Sequence, residues 1–418
     1  MKIARYTYLF TALIILAVLS AATVHAEVVI GLNYPKTGPY SVQGLDQLRA
    51  SKLAVEEINK AGGIMGQKIN LLVTDSKSKV DVTTKNVNGL FDKGAKMVLG
   101  GSASSVAIAA GKVAEKRDKL FFGTLTYSTA TTGKEGRKHV FRECYNAWMG
   151  AKAIGPYLKQ KYPGKKYFYI TADYTWGHTT EASVRTFTNT TSVKKHRGVK
   201  TPFPGAKDKD FKKALGFAKV VKPQVLVLVL FGKDMTSAVR IATAMGLKKN
   251  MQIVVPNLTL GMAEGGGAKV MEGVIGALPW TWKIPYQFNY PRGKKFVEDF
   301  TAKYNRYPST SGASAYTILY EYKAAVERAK SFDTAAVIRA LEGHKYTLLK
   351  DQQQWRAFDH QSLQKVYAVK GNPASVVNKD KFKLDFFEII GTVSASEASR
   401  TKKEWDAVRR KAGKPTKL

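Results

Sequence analysis

A strand-loop-helix unit that repeats along the chain restricts its fold more than any other feature. Residues 28–34 form a short apolar strand pattern, followed by the turn Pro35-Lys36-Thr37-Gly38-Pro39 and a helical spacing of Leu45, Leu48, Val55 and Ile58 that Gly62-Gly63 stops. The same unit recurs as strand 69–75 with helix 81–93 and strand 97–100 with helix 105–116, and strand 120–124 closes the series. Alternation of this kind builds a parallel sheet with helices on both faces. A second series follows a helix at about 148–161. It runs through strand 167–171, a helix after Trp176, strand 195–201, helix 210–220, strand 225–231, helix 235–245 and strand 252–256. The expected fold class is therefore α/β, with two Rossmann-like open sheets. Neither carries G-x-G-x-x-G, so a dinucleotide site has no support.

Beyond these series, Pro279-Trp280 and Ile284-Pro285 read as a crossing connection, and helices are expected over about 292–304 and 312–329. Strand character returns at 364–369 and 386–390, and residues 396–418 read as a basic, solvated helix with a frayed end. At the other end, Lys2 and Arg5 precede an apolar run over 9–19, and Val24-His25-Ala26 offers small residues to a peptidase. This predicts a secretory signal peptide over residues 1–26 and a mature chain starting at Glu27. The run is shorter than the roughly 18 to 20 apolar residues of a spanning helix. No cysteine lies near the cleavage position for lipid attachment, so a free periplasmic protein is expected.

Cys144 is the only cysteine, which rules out an intramolecular disulfide and leaves stability to the core. With 418 residues, 44% of them hydrophobic, the chain is long enough for two domains. The 67 Lys and Arg against 32 Asp and Glu give a formal charge of +35. Such an excess is a common footprint of nucleic-acid binding. Here the basic residues are scattered behind an export signal, and a solvated surface is expected, with no nucleic-acid partner. The sequence has no H-E-x-x-H, paired-cysteine, G-x-S-x-G, Walker or EF-hand motif, and its six histidines are dispersed. Neither an enzyme, a metal nor a cofactor is expected.

Several strings in order then carry a family resemblance: Val29-Ile30-Gly31-Leu32 with Thr37-Gly38-Pro39, Ala54-Val55-Glu56-Glu57-Ile58-Asn59 with Ala61-Gly62-Gly63-Ile64, and Val98-Leu99-Gly100-Gly101 leading into Ser104-Ser105. Asp173-Tyr174-Thr175-Trp176-Gly177 and Ala244-Met245-Gly246-Leu247-Lys248 continue it. Together they resemble the type I periplasmic binding proteins of branched-chain amino acid (leucine, isoleucine, valine) ABC importers. The resemblance implies two α/β lobes joined by three crossings, with a small solute held between them and delivered to a permease and ATPase complex in the inner membrane. A monomer is expected. Lobe one would comprise residues 27–146 plus 281–355, and lobe two 147–280 plus 356–418. The founding members carry a disulfide reaching the loop before the serines, where this chain has Ala103. The same fold also serves sensors, and a sensor acting through a separate membrane partner is the competing reading.

Open α/β sheets bind ligands beyond the carboxyl ends of their strands. In lobe one those ends are residues 100–105 and 124–128. The first is a small-residue loop opening a helix, where backbone N–H groups and the hydroxyls of Ser104 and Ser105 suit a carboxylate. The second supplies Thr126, Tyr127 and Ser128, of which Thr126 and Ser128 fall on the register that the resemblance assigns to carboxylate contacts. Across the cleft the resemblance assigns Trp176 and Phe231 to an aromatic wall, and it places Gln43 where relatives often have a tyrosine. Tyr145 and Trp148, near the first crossing, fit hinge packing equally well. The resemblance implies a carboxylate after Pro256 for a solute ammonium, but residue 257 is asparagine. Either Asp173, Asp234 or Glu264 replaces it, or the solute carries no ammonium.

Overall fold

A computed structural model describes residues 27–418; the expected signal peptide lies outside the described residues. The first lobe is a five-stranded sheet of β1 (Glu27–Tyr34), β2 (Lys68–Asp75), β3 (Met97–Gly100), β4 (Leu120–Gly123) and β5 (Val140–Arg142), ordered β2-β1-β3-β4-β5 with every pairing parallel. Side chains alternate across such a sheet. Leu99 and Phe122 therefore pack with Tyr316, Tyr322 and Trp355 on one face, and Val98 and Phe121 meet Leu90 and Ala110 on the other. Both faces are covered, which is why these strands read as unbroken apolar runs.

The second lobe begins with β6 (Tyr167–Ala172), β7 (Gly198–Thr201), β8 (Val225–Val229), β9 (Gln252–Val255) and β10 (Ile275–Leu278). Three short strands, β11 (Lys345–Tyr346), β12 (Gln353–Trp355) and β13 (Ser362–Leu363), form a small antiparallel sheet, and Trp355 of β12 lies in the lobe-one core. The chain then returns to lobe two as β14 (Val366–Gly371) and β15 (Phe387–Val393). These complete a seven-stranded sheet ordered β15-β14-β10-β9-β8-β6-β7, in which β14 is antiparallel to both neighbours. The third crossing, expected near residue 355, thus runs at residues 364–365. Among the described residues no helix is long and apolar enough to cross a membrane.

The basic tail departs from the solvated helix expected of it, and from its expected place in lobe two. After β15 the chain crosses back, and the helix Lys402–Lys411 lies on the loop 129–137 of lobe one. Trp405 is 1% exposed and donates from its indole to the Thr132 carbonyl at 2.8 Å. Arg409 is also buried and donates to the carbonyls of Gly133 and Gly136 at 3.1 and 3.0 Å. The lysines of this helix face water, so its composition conceals a buried edge.

Candidate functional site

The ends of β3 and β4 face those of β6, β8 and β9 across the seam between the lobes. On the first side, Gly100 has φ of +132° and a Cβ there would lie 2.3 Å from the Asn33 carbonyl, so the turn into the helix Ser104–Lys116 accepts only glycine. That turn presents Ser102 and Ser104, and Ser104 Oγ accepts from the Ser128 N–H at 2.9 Å. Opposite, a Cβ on Gly177 would lie 1.9 Å from the Ala172 carbonyl, so glycine allows the helix Thr175–Thr188 to start tight against β6 and sets Trp176 at the seam.

Aromatic side chains from both lobes meet there. The Phe231 ring lies 5.2 Å from Tyr40, 5.6 Å from Tyr127 and 5.8 Å from Trp176, each edge to face, and Tyr127 lies 4.9 Å from Tyr145. Such pairs add about 0.5–1.5 kcal/mol each beyond their buried area. Polar bridges close the seam further. The hydroxyls of Tyr40 and Tyr174 are 2.8 Å apart, Ser128 Oγ is 3.0 Å from Thr179 Oγ1, and Gln43 Nε2 donates to Thr259 Oγ1 at 3.3 Å. All of these aromatic residues except Tyr174 are at most 4% exposed.

Within this closed cluster several polar atoms have no partner among the described residues: Gln43 Oε1, Ser102 Oγ, Tyr127 OH, Trp176 Nε1 and both polar atoms of the Asn257 side chain. Buried polar groups are nearly always hydrogen-bonded, and leaving one unpaired costs on the order of 1–3 kcal/mol. A concentration of them in one place fits a site whose partner is a bound molecule. All these groups are neutral.

The residues expected from sequence fall into three sets. Gln43, Tyr127, Trp176 and Asn257 carry the unpaired atoms, and Phe231 joins the rings. Ser104, Thr126 and Ser128 are buried beside them with their hydroxyls engaged, Thr126 with Thr131 at 2.8 Å. Ser105, expected to face the cleft, lines a separate groove with Thr84, Ile108, Lys112 and, from the second lobe, Thr175, because one step along a helix turns a side chain by about 100°. Of the possible substitutes for a carboxylate at residue 257, Asp173 is paired with His178 and Lys200 at 2.7 and 3.2 Å, and Glu264 with Arg306 at 2.8 Å. Asp234 has no ion-pair partner among the described residues, and burial pushes its carboxyl up to about 6.

Three contributors were missed by sequence reasoning. Tyr40 follows a turn and caps a helix, Ser102 sits in the glycine loop, and Arg142 is a charged residue ending an apolar strand, the one signal that pointed to it. Arg142 is fully buried and donates to Thr126 O at 3.0 Å, to Ser128 O, to Thr132 Oγ1 at 2.7 Å and to Gln361 Oε1 at 2.7 Å. Among the described residues, no group of three or more His, Cys, Asp or Glu side chains is placed to hold a metal.

Comparison with known proteins places this architecture. A family model described as "Periplasmic binding protein" matches residues 27–376. The chain belongs to the periplasmic binding protein family. Its relatives include the Leu/Ile/Val-binding protein BraC3 of Rhizobium johnstonii, 30% identical over 156 residues, which are 37% of this chain and 42% of that one. The matched segment thus spans less than half of that relative. A leucine-, isoleucine-, valine-, threonine- and alanine-binding protein of Pseudomonas aeruginosa is 24% identical over 348 residues, 82% of this chain and 89% of that one. A crystal structure of a periplasmic binding protein from Burkholderia mallei superposes with a TM-score of 0.81 at 23% identity, covering 90% of this chain and 97% of its own. The tail from residue 377 onward, which carries β15 and the helix on lobe one, lies beyond the family match.

Proposed function

We propose that this chain is the solute-receiving component of an ABC importer of the branched-chain amino acid type, working in the periplasm and handing its solute to a membrane permease and ATPase. It performs no reaction. The solute is a small molecule with a carboxylate or carbonyl head and an apolar or flat body, held between the lobes by Gln43, Ser102, Tyr127, Trp176, Phe231 and Asn257. The carrying observation is the group of unpaired polar atoms inside an otherwise closed aromatic cluster. The rings supply apolar contact, and the unpaired donors and acceptors fix orientation, as in ligand pockets generally.

Asn257 offers a dipole where a charged partner would be needed to bury an ammonium, and burying an unpaired charge costs several kcal/mol. Asp234 is the remaining carboxylate at the seam; it lies beside Tyr40 and Tyr174 at the rim, and burial weakens its acidity, raising its pKa to about 6. The reading therefore favours carboxylates and amides over α-amino acids. Thermal unfolding of residues 27–418 with leucine, 4-methylpentanoate, benzoate and their amides tests it, because a ligand of the folded state raises apparent stability by about 2.7 kcal/mol at a hundredfold excess over Kd. A rise of several degrees with at least one carboxylate or amide, larger than with leucine, is expected. No shift with any of them overturns the proposed role, and a shift with leucine alone overturns the solute class.

A further inference from the structure

Behind the loop that carries Tyr127 lies a buried positive charge, that of Arg142. Arg142 has no carboxylate within ion-pair distance among the described residues, and its N–H groups are spent on two backbone carbonyls, a threonine hydroxyl and a glutamine. Its charged neighbours deepen the imbalance. Arg356 and Arg400 lie close enough to oppose its charge, and Asp359, the carboxylate that favours it, is itself bound by both arms of Arg356, at 2.8 Å to one oxygen and 2.5 Å to the other. Glu143 follows on the opposite face of the chain, where Gln353 donates to it at 2.9 Å. Burial brings the Arg142 guanidinium down to about 10, so it stays charged at neutral pH.

Isolated buried cations are costly, and they persist where something compensates them. The direction of the hydrogen bonds indicates what does. Arg142 draws the carbonyls of Thr126 and Ser128 toward itself. In a trans peptide the carbonyl and the next N–H point opposite ways, so the N–H groups of Tyr127 and Thr129 face away from the guanidinium. Neither has an acceptor among the described residues, whereas the intervening Ser128 N–H is taken by Ser104. Two aligned peptide dipoles with a full positive charge behind them make a concavity suited to an anion.

We propose that Arg142 is the positioning residue that makes this cleft select an anionic head group, aligning the 126–129 peptides and supplying the field that a neutral amide would not exploit. The proposal rests on the reading of the seam as the solute site. A purely structural guanidinium would stabilise the loop for every solute alike, so discrimination between matched solutes separates the two roles.

The test compares wild type, Arg142→Lys and Arg142→Gln of residues 27–418 by calorimetry with benzoate against benzamide and 4-methylpentanoate against 4-methylpentanamide. Wild type is expected to prefer the carboxylate of a bound pair by at least about tenfold. Arg142→Gln loses about tenfold or more of that preference with the amide affinity changed less than about threefold, and Arg142→Lys retains it. Equal losses for carboxylate and amide, or a wild type without carboxylate preference, overturn the proposal. If Arg142→Gln does not fold by circular dichroism, Arg142→Lys decides alone. Its carboxylate-to-amide ratio must stay within about threefold of wild type, and a collapsed ratio overturns the proposal. Failure of every probe to bind wild type removes the solute-site reading itself, an outcome distinct from binding without discrimination.

Discussion

The front and the back of the interlobe seam are both buried and both carry polar side chains, yet they differ in how most of those groups are satisfied. At the back, Gln361 donates to the Cys144 carbonyl at 3.0 Å while its oxygen takes Arg142 and Asn146 at 2.7 and 3.1 Å. Lys350 donates to the carbonyls of Pro279 and Lys365 at 2.7 Å each, linking the second crossing to the third. Gln364 donates to the Glu143 carbonyl, linking the third to the first. These amides and the ammonium are complete without any guest. At the front, Tyr127, Trp176, Asn257, Ser102 and Gln43 each hold an unpaired atom. Burial alone therefore does not mark a binding site in this molecule. What sets the front apart is that its unpaired atoms gather among rings from both lobes, since single unpaired atoms also occur at the back, on Trp280 and His360.

The largest effect expected from this contrast is at the back. Gln361→Leu strands Arg142, Asn146 and the Cys144 carbonyl in a buried setting, and should lower unfolding free energy by about 3–5 kcal/mol in urea titration. A loss under about 1 kcal/mol would mean that the hinge contacts are slack and that the contrast with the front is false. At the front, the same kind of deletion should do the reverse. Tyr127→Phe removes a hydroxyl that has no partner, so the solute-free protein should change by less than about 0.5 kcal/mol, while affinity for a bound carboxylate falls about tenfold in calorimetry. A destabilised but equally tight variant would place the hydroxyl in the fold's own bonding.

The smallest effect is electrostatic and belongs to Asp234 at the rim of the front. Its folded pKa, raised by burial to about 6 from 3.8, means that the folded state binds its proton more tightly than the unfolded chain does. The stabilisation from that proton is present below the unfolded value and is lost as pH rises through the folded one, between about 4 and 6. Asp234→Asn should therefore raise the melting temperature at pH 7 by a few degrees and leave it almost unchanged at pH 4, read by scanning calorimetry. An equal rise at both values would show that packing, and not charge, is responsible.

The parallel strands were legible because buried parallel strands are continuous apolar runs, and β1, β3, β6 and β8 stand between clear helical spacings. β5 and β11 to β13 were not, since two or three residues hold no period to read. Positions after strand ends located Tyr127, Trp176, Phe231 and Asn257 at the seam, whereas the orientation of Ser105 depends on helix phase, which spacing from a loop does not fix. Arg142 has one local signal, a charge that ends the apolar pair Val140-Phe141, and nothing in sequence announces the carbonyls it meets. The tail helix was obscured by its own charge, with Trp405 and Arg409 four residues apart among lysines and arginines that face water.

That tail has a practical corollary for measuring motion. Although β15 belongs to the sheet of the second lobe, the helix Lys402–Lys411 is fastened to the first, so a dye on its exposed Lys403 rides with the lobe opposite to the one its preceding strand completes. Val220, 81% exposed on the far lobe, offers the second attachment point. Energy transfer between the two would then act as a ruler for lobe separation, with neither label on the aromatic cluster at the seam.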